Sequence, residues 1–320
     1  MKGLVIRGSR NIFTIKPDAP ESVEPEVICR IKGKVLKGLE GYFNPLAPGD
    51  RVDFEFDPAC PQQGLILGME KRRNVFTRLN RLQKGISPHR SAEVQVLAAN
   101  VDLLLCVTTP ASPPFRPRFL DRLLIQAEIA GIAPLIICNK YDLAGDDPDV
   151  EERLHDFTRI GYSVIPVSAL TGEGMDTVRT MIENRFSVLL GQSGVGKSSL
   201  VKALIPELNI RIGRLNEKYD RGNHTTTMSV MLEIPGTEGQ TFIIDTPGIR
   251  RFVPEGAGPA DIPLYMREFA PLVGTCTFGR SCSHQTEPGC KIMEAVAAGV
   301  IHEDRYESFL RIQDELSGLP

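Results

Sequence analysis

Gly191-Gln192-Ser193-Gly194-Val195-Gly196-Lys197-Ser198 fits the pattern G-x-x-x-x-G-K-S, and no other stretch of the chain restricts its fold so tightly. Such a loop works only between a strand and a helix. The glycines let backbone N–H groups turn inward around phosphates, and the helix N-terminus adds the positive end of its dipole. Residues 187–190 supply an apolar strand run before the loop, and 199–204 read as helical after it. Gly191 through Ser199 are therefore the predicted phosphate-binding set. Lys197 should reach the outer phosphates and act in catalysis, and the Ser198 hydroxyl should ligate magnesium.

The surroundings agree with an α/β domain. Apolar runs at 101–107, 134–138, 163–167, 187–190, 229–234 and 241–245 alternate with helical stretches, the pattern of a mostly parallel sheet. Phe119, Leu120, Leu123, Leu124 and Ala127 recur at helical spacing, as a crossover helix requires. The first part of the chain differs. Runs at 3–8, 11–15, 26–32, 51–56 and 65–70, separated by Gly, Pro and Asn, read as five short strands of a small barrel. At 320 residues two or three domains are expected, and the boundaries fall at 1–72, 73–253 and 254–320, with 73–100 a basic connector.

A phosphate loop alone leaves the base open. Asn139-Lys140-Tyr141-Asp142 follows the run 134–138, at the carboxyl edge of the sheet where ligands of α/β folds collect. A carboxylate at Asp142 can accept from both the ring N–H and the amine of guanine, whereas adenine would leave it unpaired. Ser168 and Ala169, after the next strand, supply the loop that closes over the base. Asp245-Thr246-Pro247-Gly248 ends the last strand run with the acid expected to hold the metal through water and a Gly248 N–H for the γ-phosphate. Between the phosphate loop and this acid, the segment 221–227 carries Thr225, Thr226 and Thr227, one of which should ligate magnesium; the sequence does not distinguish them, and Thr226 is the candidate carried forward. The water-orienting glutamine expected after Gly248 is replaced by Ile249, and His224 is the candidate to position water instead.

These motifs resemble those of translational and Ras-like G domains in a rotated order, with the base motifs at 139 and 168 ahead of the phosphate loop. Circular permutation keeps such a pocket by joining the old termini, here through 174–186, and opening another loop. One consequence is that the segment after Gly248 leads straight into the C-terminal region, which gives nucleotide state a route through 249–262.

Seven cysteines are present. Cys29, Cys60, Cys106 and Cys138 are scattered, as reduced thiols are. Cys276, Cys282, His284 and Cys290 form C-x5-C-x-H-x5-C, and three thiolates with one imidazole favour a closed, structural zinc site over a catalytic one. The net charge of −3 excludes a basic nucleic-acid coat, although Lys71, Arg72, Arg73, Arg78, Arg81, Lys84 and Arg90 make a local basic run without an acid, suited to phosphate contacts. Lys32, Lys34 and Lys37 on the barrel point the same way. No run approaches the ~18 apolar residues of a membrane span, so a soluble, cytoplasmic protein is expected; a monomer is the expected state.

From barrel through rotated G domain to Cys-Cys-His-Cys cluster, the chain resembles the circularly permuted small-subunit assembly GTPases of the RsgA (YjeQ) family. The resemblance includes Gly222-Asn223-His224-Thr225-Thr226 and Asp245-Thr246-Pro247-Gly248-Ile249-Arg250. Asn223 departs from the family's basic residue, and the first two cysteines stand one residue further apart than usual. The resemblance implies a permuted P-loop G domain of α/β class, an N-terminal OB-fold barrel that contacts ribosomal RNA, and a mostly helical C-terminal zinc domain. It also implies GTP hydrolysis with magnesium, stimulated by the small ribosomal subunit and coupled to a late step of its assembly, with His224 positioning water. A different reading keeps an RNA-binding assembly factor that uses GTP only as a clamp.

Overall fold

The computed structural model describes residues 1–9, 11–18, 25–33, 44–80, 93–144, 147–208, 229–236, 240–246 and 252–318. Its chain divides into two compact units, each assembled from separated stretches. The first takes Met1–Leu104, Asp176–Leu190 and Lys197–Gly248, and the second takes Leu105–Met175, Gly191–Gly196 and Ile249–Pro320.

The first unit opens with five strands, β1 (Lys2–Ser9), β2 (Ile12–Pro17), β3 (Val27–Ile31), β4 (Arg51–Asp57) and β5 (Cys60–Met69). They close in the order β1-β2-β3-β5-β4 with β4 returning to β1, and only the β3/β5 pair is parallel. This is the five-stranded barrel expected from the sequence, with OB-fold connectivity. Alternation sets its inside: Val5, Phe13, Ile15, Val27, Cys29, Leu46, Val52, Phe54 and Ile66 form one buried cluster. Glycine makes room at the bend of β1, where a Cβ on Gly8 would stand 2.2 Å from the Phe13 ring.

The expected basic connector has structure of its own. Strands β6 (Val75–Asn80) and β7 (Glu93–Ala99) pair antiparallel across it. The arginines at its entrance serve the fold: just before it, Arg72, with only 9% of its side chain exposed, grips the fully buried Asp50 through Nε and Nη2, both at 2.7 Å. Asp50 also accepts the Ala47 N–H at 2.8 Å. Arg73 pairs with Asp102, and Arg78 donates to Gln95, with burial lowering the Arg78 pKa. Arg81, Lys84, Arg90, Lys34 and Lys37 lie outside the described residues, and Lys32 pairs with Glu55.

Further along the same unit, β11 (Phe186–Gly191) runs parallel to β13 (Phe242–Asp245), placing Leu189 opposite Asp245. Strand β12 (Val230–Glu233) lies antiparallel to β13 on one side and to β1 on the other, so the barrel shares a sheet with these strands. Lys16 strengthens that seam by pairing with Glu233 and lying over the Phe242 ring. The stretch read as the joint of the permutation forms helix α3 (Met175–Ile182), and α4 (Lys197–Leu204) follows the phosphate loop.

In the second unit, β8 (Leu103–Thr108), β9 (Ala133–Cys138) and β10 (Ser163–Pro166) stand side by side, with α1 (Pro117–Ala130) and α2 (Pro148–Arg159) between them in the chain. Pro117 starts α1 where no amide partner is needed, and Gly131 ends it in the left-handed conformation at φ 64°. Beyond residue 252 come short 3-10 turns and two helices, α5 (Lys291–Ala297) and α6 (Glu303–Ser317), as the mostly helical C-terminal expectation required. The buried guanidinium of Arg305 on α6 fastens this region to α1, donating to Asp121 at 2.7 Å and to Glu268 at 2.6 and 3.0 Å.

Because Asp50 is wholly buried, replacing Arg72 leaves its charge uncompensated. Arg72→Met is expected to destabilise the protein by about 3 to 5 kcal/mol, read from chemical denaturation.

Candidate functional site

The Asn139-Lys140-Tyr141-Asp142 motif sits on the turn that ends β9. Asn139 is 1% exposed and donates from Nδ2 to the Val195 carbonyl at 2.8 Å, while its Oδ1 accepts the Ala169 N–H at 3.1 Å. One amide thus ties the middle of the phosphate loop to the loop that follows β10. Lys140 adopts a left-handed backbone at φ 60° and sends Nζ to the carbonyls of Gly194, at 2.8 Å, and Ser112, at 2.6 Å. Tyr141, Asp142 and Leu143 form a single 3-10 turn on which the Asp142 carboxylate is exposed. Ser168 is buried, its N–H given to Glu173 and its carbonyl taken by Gly172, so the 168–173 loop is rigid.

The phosphate loop requires its glycines. Gly194 and Gly196 have φ of +87° and +90°, and a Cβ on Gly196 would stand 2.2 Å from Asn139 Nδ2. A Cβ on Gly191 would strike the Val107 carbonyl at 2.4 Å. Val195 is buried, Ser193 is exposed, and Gln192 helps line a small void of about 10 Å³ with Arg116 and Pro114. The segment 109–116 after β8, with its prolines at 110, 113 and 114, is the wall that sequence reasoning missed. Its position at the carboxyl end of a strand was the available signal.

In the first unit, the chain continues from the loop into α4, whose first turn carries Lys197 and the exposed Ser198 and Ser199. Burial pushes the Asp245 carboxyl up to about 6, and nearby Lys197 opposes that rise. Burial likewise lowers the Lys197 pKa, with Asp245 acting against it. A partly desolvated ammonium and carboxylate suit a polyphosphate and a divalent cation. Thr246, 2% exposed, anchors the end of β13 by donating to the Leu189 carbonyl at 3.1 Å. His224, Thr225, Thr226, Gly248 and Ile249 lie outside the described residues. Just beyond them, Arg122 of α1 donates to the Phe252 carbonyl at 3.2 Å, and Gln126 exchanges two hydrogen bonds with the Glu255 backbone. Phe252 and Glu255, within the segment 249–262, are therefore pinned to α1.

The four residues of the cysteine cluster converge as well. The ligand atoms of Cys276, Cys282, His284 and Cys290 all lie within 4.8 Å of one another, and all four residues are buried. Cys276 and Cys290 sulfurs are 3.9 Å apart, and His284 Nδ1 is 3.6 and 3.4 Å from them. A tetrahedral zinc with bonds of about 2.3 Å to sulfur and about 2.0 Å to nitrogen sets edges of about 3.8 and 3.5 Å, so the donor set fits that ion. The Lys291 N–H points at Cys276 Sγ at 3.2 Å, and burial lowers the His284 pKa, favouring the neutral imidazole that a metal needs.

Asn139 and Lys140 precede the G-x-x-x-x-G-K-S loop in sequence yet bond directly to it, the arrangement expected of a circularly permuted GTPase. A model of the RsgA GTPase family matches residues 69–254. "Small ribosomal subunit biogenesis GTPase RsgA" of Chlorobaculum parvum is 37% identical over 296 residues, 91% of this chain and 92% of its own length. The protein of the same name from Bacteroides fragilis is 36% identical over 320 residues, covering 98% and 97%. Among solved structures, YjeQ from Thermotoga maritima superposes with a TM-score of 0.74 at 28% identity, over 100% of this chain and 99% of that one. YloQ, described as a circularly permuted GTPase, shares the fold with a TM-score of 0.68 at 22% identity. The chain belongs to the RsgA GTPase family, and it is a GTP-hydrolysing enzyme of the guanine nucleotide and Mg²⁺ type. Among the described residues, no helix is long and apolar enough to cross a membrane.

Two outcomes test this geometry. Asp245→Asn removes a charge that burial disfavours, so the nucleotide-free protein is expected to gain roughly 1 to 3 kcal/mol at neutral pH while Mg²⁺-dependent turnover is lost. The sign follows from linkage: a carboxyl raised in the folded state binds extra protons there, so its effect on stability worsens as pH rises from about 4 through about 6. Chelation is expected to unfold the C-terminal region first, seen as loss of amide protection around α5 and α6 before β9 and β10.

Proposed function

We propose that this chain hydrolyses GTP while bound to the small ribosomal subunit, and that hydrolysis drives its departure at a late step of assembly. The observation that carries the reading is the Asn139 amide, which joins guanine recognition to the phosphate loop in one site. The direction toward the ribosome rests on the relatives named as small ribosomal subunit biogenesis GTPases.

In this reading Asp142 pairs with guanine, and Asn139, Lys140, Ser168 and Ala169 shape its pocket. Gly191 to Ser199 cradle the phosphates. Lys197 neutralises charge as the γ-phosphate leaves, Ser198 and Thr226 ligate Mg²⁺, and Asp245 holds it through water. Thr225 and Gly248 face the nucleotide, and His224 positions the attacking water. The barrel, 1–72, contacts ribosomal RNA, the permuted domain occupies 73–253, and 254–320 is folded around one structural Zn²⁺ held by Cys276, Cys282, His284 and Cys290. Nucleotide state passes toward that region through 249–262. The protein acts as a cytoplasmic monomer.

Purified small subunits are expected to raise GTP turnover by roughly 10-fold or more, and Lys197→Ala to lower the stimulated rate by about 100-fold. Turnover that ignores added subunits would overturn the ribosomal reading. Unchanged stimulated turnover in His224→Ala would remove that residue from the mechanism.

A further inference from the structure

Between the first two residues of the metal cluster, the loop Thr277-Phe278-Gly279-Arg280-Ser281 displays an aromatic ring to solvent. Phe278 is 49% exposed, while its neighbours in the same region, Phe269 and Phe309, are fully buried with ring centroids 5.5 Å apart. Exposure of Phe278 does not come from a loose backbone. Gly279 N–H donates to the Cys276 carbonyl at 2.8 Å, and Ser281 donates to the Phe278 carbonyl from both its N–H and its hydroxyl, at 3.2 and 2.7 Å. The loop also rests against the strand of chain at Gly289, whose added Cβ would stand 2.2 Å from Thr277 Oγ1. A stiff, ordered turn therefore holds a large apolar ring outward.

The charge on this loop is one-sided. Arg280, two residues on, is exposed and makes no ion pair among the described residues. The one acid within 276–290, the half-buried Glu287, is occupied by backbone, its carboxylate accepting the N–H groups of Ser283, Gln285 and Thr286. Lys291, which follows the last cysteine, is answered by Glu294.

A protein hot spot needs a surround of further side chains to exclude water from its anchor. Along the loop Phe278 is instead flanked by Thr277, Gly279, Arg280 and Ser281, none of which carries a large apolar side chain. A lone flat ring beside an unanswered guanidinium suits an unpaired nucleobase, which stacks on any aromatic face while the cation meets its phosphate. From this we infer that Phe278 and Arg280 form a contact site for a single-stranded, unstacked base of RNA. The inference names a surface for the small-subunit binding proposed above and rests on that reading for its biological setting.

The test uses the full-length, zinc-loaded protein and a single-stranded RNA oligonucleotide carrying 2-aminopurine, whose fluorescence is quenched on stacking. Wild type is expected to quench it. Phe278→Ala is expected to lose the quench and weaken binding by roughly 5- to 150-fold, and Phe278→Tyr to restore both. Arg280→Ala is expected to keep the quench and reduce the salt slope of log K by about 0.7 to 1. Zinc content and basal GTP turnover should match wild type in all three. Equal quenching by wild type and Phe278→Ala would overturn the inference. So would weaker pelleting of Phe278→Ala with small subunits while oligonucleotide binding stays unchanged, an outcome that assigns the ring to a protein partner. Failure of wild type itself to pellet with subunits counts against the ribosomal reading, while the oligonucleotide arm still decides the fate of Phe278.

Discussion

The amide of Asn139 holds the candidate site together. It is nearly fully buried, and each of its two polar atoms has a defined backbone partner, the Val195 carbonyl and the Ala169 N–H. A buried amide left half-satisfied would carry a desolvation penalty of about 1–3 kcal/mol, so the three loops are held in register rather than merely near one another. Lys140 repeats the device with a charge, bridging the carbonyls of Gly194 and Ser112. Because these bonds depend on proximity and not on chain order, a rotated sequence can build the same pocket. Gly196 is obligatory for the same reason, since any side chain there would occupy the space of the Asn139 amide.

Charge is used differently in the surrounding structure. Arg72 with Asp50 and Arg305 with Asp121 and Glu268 are buried, multiply bonded pairs that fix segments far apart in sequence. Removing one partner from such a pair is strongly destabilising, whereas the pair itself adds little over good apolar packing. Their value is positional: Arg72 sets the exit of the chain from the barrel, and Arg305 sets the C-terminal helix on α1. Asp245 and Lys197 stand apart from these. Burial without full mutual compensation lifts the Asp245 pKa, the pattern of groups arranged for a ligand rather than for the fold.

Much of this architecture could be read from the chain. The five barrel strands and the strands that carry the motifs fall within a few residues of their expected places, because β-branched and apolar runs bounded by Gly, Pro and Asn carry a local signal. The phosphate loop, the base motif and the cysteine cluster were legible for a different reason: their chemistry demands particular residue types at close spacing. Less was legible in 71–100, where a count of basic residues suggested a connector suited to phosphate contacts, and an inward Arg72 followed by the paired strands β6 and β7 was found. The wall formed by 109–116 also escaped notice, since proline-rich loops carry no mark of what they pack against.

The sequence by itself determined the guanine chemistry, the inverted order of the motifs and a four-ligand metal cluster, since each rests on residues a few positions apart whose covalent spacing sets where donors and acceptors can stand. Tertiary structure decided which charges turn inward, that β12 joins the G-domain strands to β1 of the barrel, that Lys140 reaches Ser112, and that Phe278 faces solvent while Phe309 does not. Those outcomes depend on which distant segments share a core and a dielectric environment. Burial and long-range pairing are properties of the folded path, and a local pattern of residues does not encode them.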